Sequence, residues 1–202
     1  MDSFTSELGN WSPIEVVAVI LGIAYVVLAA RQIIWCWPCG ILSTALFFWV
    51  FLGEGLYQQA VLQVFYVGMG VYGWQQWRRG GEAGSPRRIS SWRVPQHIAA
   101  IAAVLALTAI TGWLESRFTT AASPYLDAFT TWGSVAATWM MARKVLENWL
   151  YWFVVDILIV VLTLRTGLAA TSVLYLVYVG MAIVGFIGWR RSQLRERAAA
   201  AG

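Results

Sequence analysis

Residues 66–79 read YVGMGVYGWQQWRR, and residues 178–191 read YVGMAIVGFIGWRR. With position n set over position n + 112 and no gaps, the stretches 56–79 and 168–191 agree at 11 of 24 positions: Leu56, Val61, Leu62, Tyr66, Val67, Gly68, Met69, Gly73, Trp77, Arg78 and Arg79. The same offset pairs Arg31 with Arg143, Trp37 with Trp149 and Gly55 with Gly167. Apolar helices resemble one another by composition alone, but Gly, Tyr, Met and Trp in fixed order over one ungapped offset point to a duplicated unit. The unit is a set of three helices, residues 13–79 in the first copy and 125–191 in the second.

The medium those helices occupy follows from composition. Of the 202 residues, 59% are hydrophobic and 12% charged, and the mean hydropathy is +0.65. A soluble domain carries about a quarter charged residues, so the chain is expected to be a single integral membrane domain over 1–202. Seven stretches can cross a bilayer at about 20 residues per span: 14–31, 33–52, 56–77, 96–114, 125–142, 146–164 and 168–189. No Lys or Arg precedes Arg31, so the first span lacks a signal peptide's basic flank and is expected to be retained. A three-crossing unit ends on the face opposite its start, so repeating it in the same orientation needs one extra crossing, supplied by 96–114. The plan is 3+1+3, with parallel repeats about an axis along the membrane normal. Residues 80–124 form a loop plus linker helix, and 192–202 a tail. The hydrophilic stretch 78–93, RRGGEAGSPRRISSWR, reads as a flexible linker.

Charge gives the orientation. Arg31, Arg78, Arg79, Arg87, Arg88, Arg93, Arg143, Lys144, Arg190, Arg191, Arg195 and Arg197 collect on one side, twelve of the 14 basic residues, against Arg117 and Arg165 on the other. Basic short loops stay cytoplasmic, which sets the N-terminus outside and the C-terminus inside. The net charge of +4 is thus a topology signal, and no nucleic-acid partner is expected.

Parallel repeats favour a substrate site at their interface near the midplane. Asp156 lies about 15 Å into the sixth span at 1.5 Å per residue, and carboxylates at such depth usually face a cavity. Trp149, Trp152 and Asp156 share a helix face at i, i+3 and i+7, with Asn148 beside them. Two aromatic faces leading to a carboxylate suit a flat cation; a structural hydrogen bond for Asp156 and an interfacial belt for Trp149 are the plainer readings. Gln59, Gln63 and Tyr66 share a face of the third span, and both amides should point into the bundle, toward a substrate or a neighbouring helix. The offset sets Gln63 against Tyr175, Tyr66 against Tyr178 and Asp156 against Thr44. Cys36 and Cys39, in WCWPC, resemble a redox motif only as a string, because that chemistry needs a soluble βαβ setting. With one histidine and no Cys/His cluster no metal site or cofactor is expected, and no nucleotide loop or nucleophile elbow is present.

LYQQAVLQVFYVGMGVYGWQQW (56–77) and ENWLYWFVVD (147–156) closely resemble motifs of the PnuC family of bacterial vitamin transporters, and the likeness runs along essentially the whole chain. It implies a SWEET-like fold, commonly homotrimeric, in the bacterial inner membrane among its lipids. Its activity would be uptake of nicotinamide riboside by facilitated diffusion, with a separate cytoplasmic kinase trapping the cargo for NAD biosynthesis. It assigns Gln63, Asn148, Trp149 and Trp152 to substrate binding or gating, with Tyr175 and Tyr178 beside them. Members that carry nicotinamide riboside often have Asn where this chain has Asp156, and a sister branch carries thiamine, also a flat cation. A membrane enzyme using Asp156 as acid or base, or a recruiting subunit of a larger importer, are the competing classes. Without a partner group or metal for Asp156, the chain is read as a transporter and not an enzyme.

Overall fold

The computed structural model describes residues 12–54, 57–81, 85, 87–119, 123–165 and 169–201. These form seven α-helices: α1 Pro13–Ala30, α2 Cys36–Gly53, α3 Tyr57–Arg79, α4 Val94–Phe118, α5 Pro124–Ala142, α6 Asn148–Arg165 and α7 Ala169–Ala201. Gly55, Leu56 and Gly167, and the breaks they mark in the sequence, lie outside the described residues. Five helices, α1, α2, α4, α6 and α7, contain a stretch long and apolar enough to cross a membrane. Of the other two, α5 carries its polarity inward. In α5, Thr130, Ser134 and Thr138 are buried with Ala128, Gly133 and Ala137, so this helix is enclosed by protein and needs no apolar coat.

Local signals fix the helix ends. Ser12 and Glu15 make a capping box at the start of α1, Ser12 N–H donating to Glu15 Oε2 (2.6 Å) and Glu15 N–H to Ser12 Oγ (3.3 Å). Glu15 thus anchors the start of the helix. The second span starts at Cys36 and not near residue 33, because Gln32 adopts a left-handed conformation (φ 58°) and Ile33 N–H reaches back to Leu28 O (2.9 Å). That bond, six residues to one, is a Schellman closure. An identical closure ends α5, with Lys144 at φ 50° and Val145 N–H on Met140 O (2.9 Å); the repeat offset carries each residue of the α1 turn onto its counterpart here.

Two expectations for the polar segments need correction. The flexible linker is pinned over its second half: Ser90 N–H donates to Lys144 O (2.9 Å), Leu146 N–H to Ser90 O (2.8 Å), and Ile89 is buried. Backbone pairing against the 143–147 turn offsets the Gly- and Ser-rich composition that suggested mobility. The C-terminal tail is a continuation of α7, since Gln, Leu, Arg, Glu and Ala from 193 onward are strong helix formers with no breaker among them.

Neighbours in sequence pack as α1 on α2, α2 on α3, α5 on α6 and α6 on α7, while α4 packs on α5. The two triplets join through α1 against α7 and α3 against α5. A dense aromatic layer crosses the arginine-rich end. Trp37 and Trp77 meet edge to face (5.5 Å between centroids, 89°), as do Trp149 and Trp189 (5.6 Å, 88°), and Trp77 abuts Trp189 (5.8 Å). Trp77 Nε1–H donates to Met141 O (3.1 Å) and Trp189 Nε1–H to Ala29 O (2.9 Å), tying each triplet to the other. The repeat offset maps this set of contacts onto itself. Aromatic pairs contribute about 0.5–1.5 kcal/mol each beyond burial, which is substantial where lipid offers no hydrophobic drive to helix association.

Candidate functional site

Above this layer the triplets enclose a cavity of about 280 Å³. Each triplet lines it with the same positions: Gly22 and Ser134, Val26 and Thr138, Trp37 and Trp149, Gly40 and Trp152, Thr44 and Asp156, Phe47 and Ile159, Gln63 and Tyr175, Tyr66 and Tyr178, Gly70 and Ala182. The repeat offset relates the two members of every pair, so the cavity lies between matched faces. Among the described residues, only Tyr25, Ser43 and Met141 line it without a matching partner. The pairs that differ most in chemistry hold the polar groups. Where one side has Gly40, Thr44 and Gln63, the other has Trp152, Asp156 and Tyr175.

Of the sequence-predicted residues, Gln63, Tyr66, Trp149, Trp152, Asp156, Tyr175 and Tyr178 come together on this wall. Gln59 and Asn148 do not. Gln59 lies in the first turn of α3 and is exposed, one turn beyond Gln63 toward the helix start and outside the cavity. Asn148 is the first residue of α6 and fully buried in the floor, with Nδ2 donating to Val145 O (2.6 Å). Residues that sequence reasoning missed are Tyr25, Trp37, Ser43, Ser134 and Thr138. For α5 the signal was present, since Thr130, Ser134 and Thr138 recur every four residues on one face.

Among the described residues lining the cavity, Asp156 is the only Asp, Glu, Lys, Arg or His. It is 3% exposed, and among the described residues neither a hydrogen bond nor an ion pair ties it to a partner. The Ser43 hydroxyl donates to Ala18 O (2.7 Å), Thr44 to Gly40 O (2.9 Å) and Thr138 to Ser134 O (2.7 Å), so the small hydroxyls are spent on their own helices or the next. Tyr66 faces the Ser134 side chain, and Tyr175 stands edge to face with Tyr178 (5.6 Å, 89°). In the floor, the indole Nε1–H of Trp37 and of Trp149 and Oδ1 of Asn148 are buried without a partner. An unsatisfied buried polar group costs about 1–3 kcal/mol. Both cysteines are free thiols, and no cluster of metal-ligating side chains occurs among the described residues.

The wall is small and aromatic with one carboxyl group, a chemistry that can receive a flat cation. Comparison with known proteins bears on it. The family described as Nicotinamide mononucleotide transporter matches residues 12–191. A Riboflavin/roseoflavin transporter, RibM, of Streptomyces davaonensis is 29% identical over 183 residues, covering 89% of this chain and 84% of the relative. The Nicotinamide riboside transporter PnuC of Escherichia coli is 28% identical over 209 residues, covering 91% and 87%. The crystal structure of a vitamin B3 transporter PnuC superposes with a TM-score of 0.75 at 24% identity, over 96% of this chain and 87% of that one, a likeness of fold.

Proposed function

Because the chain belongs to the nicotinamide mononucleotide transporter family, the PnuC family of vitamin transporters, we propose that its cargo is nicotinamide riboside, carried by facilitated diffusion with alternating access. Membership makes it a multi-pass membrane transporter of a small vitamin; the choice of a cationic cargo over riboflavin rests on Asp156, and the choice of nicotinamide riboside among cations on the family resemblance. Riboflavin is uncharged at neutral pH, whereas the pyridinium of nicotinamide riboside is a permanent cation. A buried carboxylate without a protein counter-charge is costly until a cation arrives, and the Trp149 and Trp152 rings that share its helix face offer stacking and cation–π attraction to the same group. Gln63 can both donate to and accept from a carboxamide or a ribose hydroxyl; Tyr66, Tyr175 and Tyr178 supply further hydroxyls. Thiamine is also a flat cation and is the substrate to test beside it.

Alternating access is read here as rocking of two copies of a three-helix unit, 13–79 and 125–191, about an axis along the membrane normal, with α4 as the linking span. The nine matched lining pairs, the twin Schellman turns and the twin tryptophan contacts support that reading. The arginine-rich end would be cytoplasmic, the N-terminus outside, and the tryptophan layer the inner gate, with orphaned Trp37 and Trp149 N–H groups finding acceptors when it opens. The homotrimer in the bacterial inner membrane, and the separate kinase that keeps the cargo inside, complete the proposal.

Calorimetry on the purified chain with nicotinamide riboside, thiamine and riboflavin tests it. Binding of nicotinamide riboside in preference to the other two is the expected result. Riboflavin binding without either cation would overturn the role given to Asp156, and thiamine alone would move the cargo to the sister vitamin.

A further inference from the structure

At the arginine-rich end, away from the transport cavity, a second cavity of about 730 Å³ opens between the pinned segment 87–92, the first turns of α4 and the end of α5. Its walls carry three guanidinium groups, those of Arg87, Arg88 and Arg143, together with Ser90, Ser91 and the rings of Trp92 and Trp139. Arg143 lies over the Trp139 ring (4.9 Å), and Trp92 meets Trp139 at 5.6 Å. Arg87 is held by Nε–H donating to Gly80 O (3.2 Å), which leaves its terminal amino groups unspent by that bond.

The charges in this cavity are all of one sign. Burial first, and the neighbouring Arg143 second, push the Arg87 guanidinium below its ordinary value, with Tyr72 pulling the other way. Glu147, the carboxylate this segment does engage, accepts from the Trp92 backbone N–H (3.2 Å) and does not line the cavity. The frame is rigid: Ser90 is bridged to the 143–147 turn, and Gln193 Nε2–H on α7 donates to Ser91 Oγ (3.1 Å) and Ile89 O (3.4 Å). Like charges held together by a fixed frame, beside hydroxyls and flat rings, make a receptor for a multiply oxygenated anion, because the planar fork of arginine matches phosphate geometry.

We propose that this cavity binds a phosphate ester, gripped by Arg87, Arg88 and Arg143 with the Ser90 hydroxyl as a neutral donor, at a site separate from the transported vitamin. The ester has two possible sources, a soluble nucleoside monophosphate whose base lies against Trp92 or Trp139, or the headgroup of an anionic lipid at the membrane surface. The proposal is independent of the cargo assigned to the central cavity.

The test uses the full chain. Purified protein in a neutral detergent is titrated with AMP and with inorganic phosphate by calorimetry, and in parallel its retention of phosphatidylglycerol against phosphatidylcholine is measured by native mass spectrometry. Arg87→Gln, Arg143→Gln and the rim-located Arg88→Gln are compared with Arg165→Gln at the opposite end of the bundle. The expected result is binding that weakens about tenfold for each cavity arginine removed, falls with added salt and is untouched in R165Q. AMP binding without selective lipid retention identifies a soluble ester, and retention of phosphatidylglycerol without AMP binding identifies a headgroup. Wild-type protein that melts cooperatively yet binds neither, or binding that survives R88Q and the R87Q/R143Q pair alike, overturns the proposal.

Discussion

Replacing Asp156 by Asn removes the only carboxyl group among the described residues on the wall of the transport cavity while keeping the size of the side chain, and two opposite effects follow. With a pyridinium a few ångströms away, a carboxylate at an effective dielectric near 20 gains on the order of 4 kcal/mol, reduced by the hydration both charges give up. Hydrogen bonds and contacts to charged groups retain about 1.5–3 kcal/mol net, so the affinity for nicotinamide riboside should fall about ten- to a hundredfold in D156N. The empty protein should respond the other way. Asp156 is 3% exposed without a protein partner among the described residues, so the neutral amide spares the desolvation penalty and the ligand-free variant should melt at or above the wild-type temperature. Calorimetry gives the first quantity, and thermal unfolding in detergent without ligand gives the second. Unchanged affinity together with a lowered melting temperature would mean that Asp156 is a structural hydrogen-bonding group, and the cation argument would fail.

The aromatic floor yields matched tests. A Cβ at Gly73 would collide with the Trp37 ring and one at Gly185 would come within 2.6 Å of the Trp149 ring, while Gly68 and Gly180 have open space; G73A and G185A should each lower stability by about 1–3 kcal/mol and slow transport, with G68A and G180A near wild type in the same melting and uptake assays. Trp77→Phe and Trp189→Phe each delete one indole donor to the opposite triplet, so their stability losses should agree within about 0.5 kcal/mol; a severe loss in one and none in the other would show that the two contacts are not equivalent. Lys144, in the turn after α5, has its ammonium pushed below 10.5 chiefly by burial, against the pull of Glu196 and Cys36. Its charged form is disfavoured on folding, so that cost is present at neutral pH and is relieved as pH rises through the lowered value toward 10.5. The melting temperature should gain an upward alkaline contribution that Lys144→Met removes, and equal pH slopes in the two proteins would refute it.

How far the sequence could be read depended on the kind of signal. The seven helices were legible because long apolar runs survive in one dimension. Asp156, Trp149 and Trp152 were legible because helical periodicity set them on one face and depth made the carboxylate costly. Gln59 shares that periodicity with Gln63 and still falls outside the cavity, since face alone says nothing of where along the axis a cavity ends. Asn148, as the first residue of α6, lies beneath the wall and donates its amide Nδ2–H to Val145 O, a local bond that helical periodicity does not reveal. The pinning of Ser90 to Lys144 and Leu146 was hidden, because backbone pairing between distant loops leaves no compositional trace. Tyr25 and Ser43 have no lining counterpart in the second repeat, so a reading built on the offset passes over them.

Uptake into proteoliposomes holding only the purified chain separates carriage of nicotinamide riboside from carriage of riboflavin. Radiolabelled nicotinamide riboside should enter saturably, stop at equal concentrations inside and out, need no ion gradient, and enter more slowly at low concentration through D156N. Vesicles that admit riboflavin while staying impermeable to nicotinamide riboside would contradict the account, as would accumulation above the outside concentration.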